Sequence, residues 1–390
     1  MDLVITSLGV VSPFGVGRAA WDAALADPAK ATEAAIRTTS EVLDNEALPG
    51  ARTAECWGFD PTEHLGKRGH RTFDRLTKFL IAAAKTALID AGLKDGEGAF
   101  REGAPGPDRV GICSATAYGS LDAITELNLV AELEDPRFIN PSRFPNTVVN
   151  AAAGYVSIWE DLRAPNTTVV DGNCGALDAI LVAATHLDVG RADGFLVGGG
   201  EVVSEPLYRA LARLGVVGPE GKGAVMGEGA AYLYLERRAG AEARGASVLG
   251  VITGYGTAFA PPESEALLVH GSADAVERAC RDALAEAGLE PSDVDVVATA
   301  GSGVALIDTA EGEGLRAVFG EATPLATPKA LHGETFGASG AFGLAAGLSW
   351  MNGAPVAPLL QGEAPSSVRT VLVSTIGYYG NASAVVLQAP

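Results

Sequence analysis

Residues 166–197 read NTTVVDGNCGALDAILVAATHLDVGRADGFLV. Thr168–Val170 is a short β-branched run, and Asp171-Gly172-Asn173-Cys174-Gly175 is a turn of small residues. Ala176–Asp188 is an Ala/Leu-rich segment with helical spacing. Gly190-Arg191-Ala192-Asp193 then leads into the apolar run Gly194–Val197. Strand, tight turn, buried helix and strand in that order form the building unit of a layered α/β protein. A sharp turn from a strand into a helix presents one side chain, with the N–H groups of the helix start facing a reactant. Many enzymes hold a nucleophile beside an oxyanion hole in this way. Gly172 and Gly175 equally suit close packing with no chemistry, and spacing alone does not separate the two readings.

Outward from this stretch the same alternation continues. Further strand-like runs are Leu3–Ile5, Val110–Cys113, Ala231–Leu235, Val294–Ala298, Val371–Val373 and Ala384–Leu387. Further helical segments are Thr72–Ala91, Leu121–Leu133, Ser272–Ala287, Thr309–Phe319 and Gly337–Met351. A second unit mirrors the first: Thr327-Pro328-Lys329 leads through Gly333–Gly340 into Ala341–Met351. Gly353 and an apolar strand over Ala354–Leu359 follow. The repetition hints at duplication.

The chain has 390 residues, a net charge of −20 from 28 Lys+Arg against 48 Asp+Glu, and 47% hydrophobic residues with 19% charged. Disorder requires the reverse balance. The acidic excess repels phosphate backbones and anionic membrane surfaces, so neither nucleic acid nor membrane is expected as a partner. No apolar run reaches the roughly 18 residues of a membrane span. The start, MDLVITSLGVVSPFG, reads as strand and turn rather than a secretory signal. Cys56, Cys113, Cys174 and Cys280 show neither disulfide nor metal spacing, which fits a reducing cytoplasm, and no cofactor is expected.

Ordered motifs along nearly the whole chain resemble the β-ketoacyl synthases of fatty acid and polyketide assembly. Val4–Phe14, VITSLGVVSPF, is similar to the family's opening VTGLGVVSPLG. Phe73–Leu93 resembles its first long helix, and Asn166–Asp193 its nucleophile elbow. Gly227–Glu236, GEGAAYLYLE, resembles the family's GEGAA-x-L-x-LE strand. Asp308–Gly320 resembles the segment after its HGTGT motif, and Gly377–Ala382, GYYGNA, stands in place of its GFGGTNA loop. The resemblance implies a thiolase-like α/β fold: two pseudo-duplicated halves in a layered αβαβα arrangement, an N-terminal half over 1–250 and a C-terminal half over 251–390.

The catalytic positions depart from that pattern. An elongating synthase uses a Cys thiolate and two histidines. Ala300 stands where the HGTGT histidine belongs, and Glu334 where the second histidine belongs in KxxxGHxxGAAG, here KALHGETFGASG. Alanine carries no proton, and a carboxylate repels both malonate and a developing enolate. At the elbow the family reads Cys-x-x-Gly-Leu-x-Ala. Counting back from Leu177 places Asn173 at the nucleophile position, whereas counting forward along the strand places Cys174 there. The helix register favours Asn173, because a buried helix absorbs an extra residue less readily than a turn does. His332 is read as a satisfied loop histidine that points away from the site. Lys329, Asp308 and Glu311 keep the family's supporting charged positions and are expected to pair, tying two loops together. Tyr378 stands near the family's gating phenylalanine, with plain packing as the alternative.

Within the family this defect resembles the chain length factor of type II polyketide synthases. That resemblance implies a non-catalytic subunit forming a heterodimer with a catalytic ketosynthase, and shaping the tunnel that limits polyketide chain length. Leu121, Ile124, Thr125 and Leu127 are the tunnel and interface candidates, with Phe144 at the tunnel mouth, although an amphipathic core stripe has the same spacing. Arg143–Ala153 and Gly333–Gly340 are more similar to synthases of reduced polyenes than to those of aromatic polyketides. The acidic charge implies that acyl carrier protein meets the complex mainly on the partner. Two alternatives stand beside this reading. One is a divergent ketosynthase or acyltransferase using Cys174; the other is a decarboxylating initiation factor.

Overall fold

In a computed structural model the chain is described over residues 3–219 and 222–390. Its strands are β1 Leu3–Ser12, β2 Gly15–Val16, β3 Thr53–Ala54, β4 Val110–Ala115, β5 Asn166–Val169, β6 Gly194–Glu201 and β7 Met226–Gly227. They continue with β8 Gly229–Arg237, β9 Gly250–Phe259, β10 Val296–Ala298, β11 Leu325–Ala326, β12 Leu359–Gln361, β13 Thr370–Ile376 and β14 Asn381–Gln388. One mixed sheet runs β12-β11-β10-β13-β14-β9-β1-β8-β6-β4-β5. Read outward from the central β1–β9 pair, the two wings have matching pairings. β1, β8, β6, β4 and β5 on one side correspond to β9, β14, β13, β10 and β11 on the other. Within each of these five-strand sets the two outer pairings are parallel and the two inner ones antiparallel; β12 extends one wing, antiparallel to β11.

Successive strand residues point to opposite faces, and the core divides accordingly. Val197, Leu233, Val296, Val371 and Val373 face inward onto the helices Gly175–Asp188 and Ser339–Met351, which lie between the wings. Their neighbours Leu196, Tyr232 and Tyr234 face an outer helix, Arg75–Asp90. Val297, Leu372 and Val386 face the outer helices Ala273–Ala287 and Ala305–Phe319. Helix, sheet, helix, sheet and helix follow one another, as the resemblance implied. Residues Ser339–Trp350 are all buried, which explains their near-continuous apolar sequence.

Sequence reading passes over β9, because Gly250, Gly254 and Gly256 dilute its apolar pattern. Those glycines have a packing reason. A Cβ at Gly256 would lie 2.1 Å from the Ala279 carbonyl oxygen, so helix Ala273–Ala287 rests directly on the strand backbone. Gly9 in β1 meets helix Arg75–Asp90 in the same way, its Cβ falling 2.0 Å from the Ala83 carbonyl oxygen. The expected strand over Ala354–Leu359 is corrected: only Leu359–Gln361 is strand, and β13 takes the place equivalent to β6. Pro355 and Pro358 lack the N–H that a ladder needs.

Candidate functional site

The elbow is a single 3-10 turn, Gly172–Cys174, between β5 and helix Gly175–Asp188, and Gly172 takes the left-handed φ of +53° that lets the chain reverse. The turn sends its two candidate side chains to different places. Asn173 is buried, and its Nδ2 donates to Glu334 Oε2 at 3.1 Å. Cys174 is fully buried, with its Sγ 3.8 Å from the Thr375 carbonyl oxygen; burial pushes its thiol well above the usual range. A reactive cysteine needs the opposite setting.

Glu334 is the hub. Lys329 Nζ lies 2.7 Å from its Oε2, and Tyr378 donates from its hydroxyl at 3.2 Å. On Oε1, the Phe336 N–H donates at 2.8 Å and the Ser339 hydroxyl at 2.9 Å. Burial opposes ionisation of Glu334, but Lys329 and these donors overcome it and hold the carboxyl below the usual glutamate range. Phe336 takes the left-handed φ of +41°, which costs a bulky residue of order 1–3 kcal/mol and aims its N–H at the carboxylate. Ser339 and Phe336 carry no sequence signal for this role; only the folded turn brings them to Glu334.

The supporting network is rearranged from the expected one. Lys329 pairs with Glu334 rather than with Asp308 or Glu311. Asp308 instead accepts the N–H groups of Ser302 and Gly303, at 2.9 and 2.8 Å, and fixes the turn ahead of its helix. Glu311 accepts the Ala300 N–H and the Ser374 hydroxyl, each at 2.8 Å, and burial pushes its carboxyl up to about 7. Three backbone donors therefore hold the carboxylates that the sequence reading assigned to a lysine. Ala300 is buried in the apolar cluster that contains Phe336 and Tyr378. Tyr378 is thus more than packing, because its hydroxyl reaches the hub.

The His332 ring makes no hydrogen bond at the site, as expected, but the residue is neither in a loop nor satisfied, since both ring nitrogens are buried without a partner among the described residues. It ends the short helix Lys329–His332, fully buried, with its ring stacked on Phe342 at 4.6 Å and tilted against Trp21 at 5.7 Å. Burial drives its basicity down to about 3, so the ring is neutral.

Helix Leu121–Leu133 contains no buried residue, so the core-stripe reading of its spacing is set aside. Leu121 packs beside Tyr118 against the cluster of Phe336 and Tyr378. Ile124 and Leu127 line a separate groove of about 400 Å³ with Ala131, Ile139 and Phe144. Thr125 is half-buried and lines neither. Phe144 in the groove is 64% exposed, and Leu133 at the end of the helix is 77% exposed, Phe138 70% and Ile158 77%. Among the described residues no helix is long and apolar enough to cross a membrane, and no cluster of His, Cys, Asp or Glu is arranged to hold a metal.

The five-layer sheet, the elbow and the facing 329–339 loop define a ketosynthase-type scaffold. The family model for the N-terminal domain of β-ketoacyl synthases matches residues 1–241, and that for the C-terminal domain matches residues 249–363; the chain belongs to the β-ketoacyl synthase family. A 3-oxoacyl-[acyl-carrier-protein] synthase 2 of Coxiella burnetii is 29% identical over 364 residues, covering 87% of this chain and 83% of that protein. Among solved structures, the ishigamide ketosynthase/chain length factor superposes with a TM-score of 0.85 at 23% identity, over 100% of this chain and 99% of that one. A ketosynthase (ApeO) in complex with its chain length factor (ApeC) from Xenorhabdus doucetiae gives 0.80 at 17% identity, over 100% and 98%.

Proposed function

We propose that this chain is a non-catalytic subunit that pairs with a catalytic ketosynthase and helps set polyketide chain length, as a chain length factor does. The observation that carries the reading is the ionised Glu334, hydrogen-bonded to Asn173 and paired with Lys329. Condensation needs a thiolate and donors that stabilise an enolate; here an amide and a carboxylate face each other. The likeness to solved ketosynthase/chain length factor assemblies supports the reading at the level of fold. The exposed apolar residues around helix Leu121–Leu133 supply surface for a partner, and Ile124, Leu127 and Phe144 are the candidates to line the end of its acyl tunnel. Acyl carrier protein would then reach the complex through the partner.

The competing reading, an enzyme working through Cys174, has the curated 3-oxoacyl synthases in its favour. Its thiol, however, is sealed from solvent and kept protonated by burial. One experiment separates the two. The purified chain is incubated with acyl and malonyl carrier proteins, with and without its cognate ketosynthase. We expect no acyl adduct and no decarboxylation from the chain alone, and a 1:1 complex that forms polyketide with the ketosynthase. An adduct seen by intact mass that vanishes in Cys174→Ser overturns the proposal.

A further inference from the structure

In a chain with 48 acidic and 28 basic residues, a shielded cation readily finds a carboxylate. Lys94 pairs with Glu160 at 2.8 Å, Arg75 with Glu228 at 2.5 Å and Lys329 with Glu334 at 2.7 Å; Arg244 pairs with Glu236. That is the usual condition of a charge removed from water. Arg52, a half-buried residue, departs from it. Among the described residues it has no ion pair, and its Nε is shielded from solvent with no hydrogen-bond partner. Among the described residues its Nη2 reaches only the Gly223 carbonyl oxygen, at 3.4 Å.

Arg52 lines a cavity of about 450 Å³, within the roughly 300–1,000 Å³ typical of small-ligand sites. Ile36, Leu315, Leu325 and Leu360 give the cavity an apolar wall. Three other charged residues line it, and each is committed elsewhere. Asp308 holds the Ser302 and Gly303 N–H groups, Glu311 holds the Ala300 N–H and the Ser374 hydroxyl, and Lys329 holds Glu334. The charged side chain in the cavity without a carboxylate or backbone N–H partner of its own among the described residues is therefore a guanidinium, whose planar fork matches a carboxylate, and the Ser302 hydroxyl, buried without a partner, lines the same cavity.

The geometry points to a binding site for a small amphipathic carboxylate, its head on Arg52 and its hydrocarbon body against Leu315, Leu325 and Leu360. Neither Asn173 nor Glu334 lines the cavity, although Lys329 borders both the cavity and their contact, and the site does not depend on the pairing role proposed above. The test is calorimetric titration of the full-length chain with octanoate, and with octanol as the uncharged analogue. Octanoate should bind the wild type at least about tenfold tighter than octanol, the worth of one charge-assisted contact. Arg52→Gln should abolish that difference while leaving octanol affinity unchanged. Absent octanoate binding, equal affinity for the two probes, or octanoate affinity unaltered in Arg52→Gln each overturns the assignment. Should Arg52→Gln fail to fold, the two-probe comparison on the wild type decides alone.

Discussion

Glu334 takes donors from three places: Asn173 on the elbow, Lys329, Phe336 and Ser339 around its own loop, and Tyr378 before β14. A buried carboxylate with this many partners ties the turns of the site together. Removing one member of a buried pair strands the other, at a cost of about 3–5 kcal/mol. Glu334→Gln is therefore expected to lose stability of that order in urea unfolding at pH 7, through the unpaired Lys329. The pH dependence has a definite sign. Because the folded carboxyl sits below the ordinary 4.5, its contribution is present above that value and is lost as pH falls through the folded one. The deficit of Glu334→Gln should accordingly shrink in acid. A deficit unchanged between pH 7 and pH 3 would show that the carboxylate's charge is not what stabilises the site.

At the scale of elements, helix Leu121–Leu133 stands apart. The helix Ser339–Met351 is buried almost throughout, whereas this one has no fully buried residue and shares its groove with the turn Pro141–Thr147. Ile124 and Leu127, one helical turn apart, both face that groove. Should the groove end the partner's acyl tunnel, shortening Ile124 opens room for further extender units. Ile124→Ala in the reconstituted pair is then expected to shift products to longer chains, read by mass spectrometry of the released polyketides. Leu121→Ala is expected to act less on length and more on stability, because Leu121 packs against the cluster of Phe336 and Tyr378. An unchanged product profile in Ile124→Ala removes the groove from the tunnel.

Over the whole molecule, the sheet closes its central β1–β9 seam but leaves β5 at an edge. That edge reads Asn166-Thr167-Thr168-Val169, with no charge to discourage pairing, and Val170 beside it is 50% exposed. Leu133, Phe138 and Ile158 are exposed too, and we propose that they and this edge belong to the partner's interface. Val170→Asp combined with Leu133→Asp should abolish co-purification with the ketosynthase while leaving the thermal midpoint of the isolated chain within a few degrees, since both side chains are exposed. Retention of the complex would move the partner's surface elsewhere. The N-terminal family match ends at residue 241 and the C-terminal match begins at 249, and we propose that the chain's two halves divide close to that gap, at 250.

The sequence by itself determined the layered α/β class, most of the strands and long helices, and that Ala300 and Glu334 stand where the resemblance places two histidines. These follow from local patterns: period-two strands, Ala/Leu helices and motif positions counted along one chain. It did not find β9, whose glycines answer to a helix packed from elsewhere in the chain, nor the coil over 354–358, where prolines override an apolar run. It favoured Asn173 over Cys174 by helix register alone, and in the folded turn Gly172–Cys174 it is Asn173 that points at Glu334. The partner of Lys329, the aromatic burial of His332 and the unpaired guanidinium of Arg52 were likewise decided by tertiary structure. Each depends on which distant side chains share a buried volume, and that is fixed only when the two wings of the sheet close around their central helices.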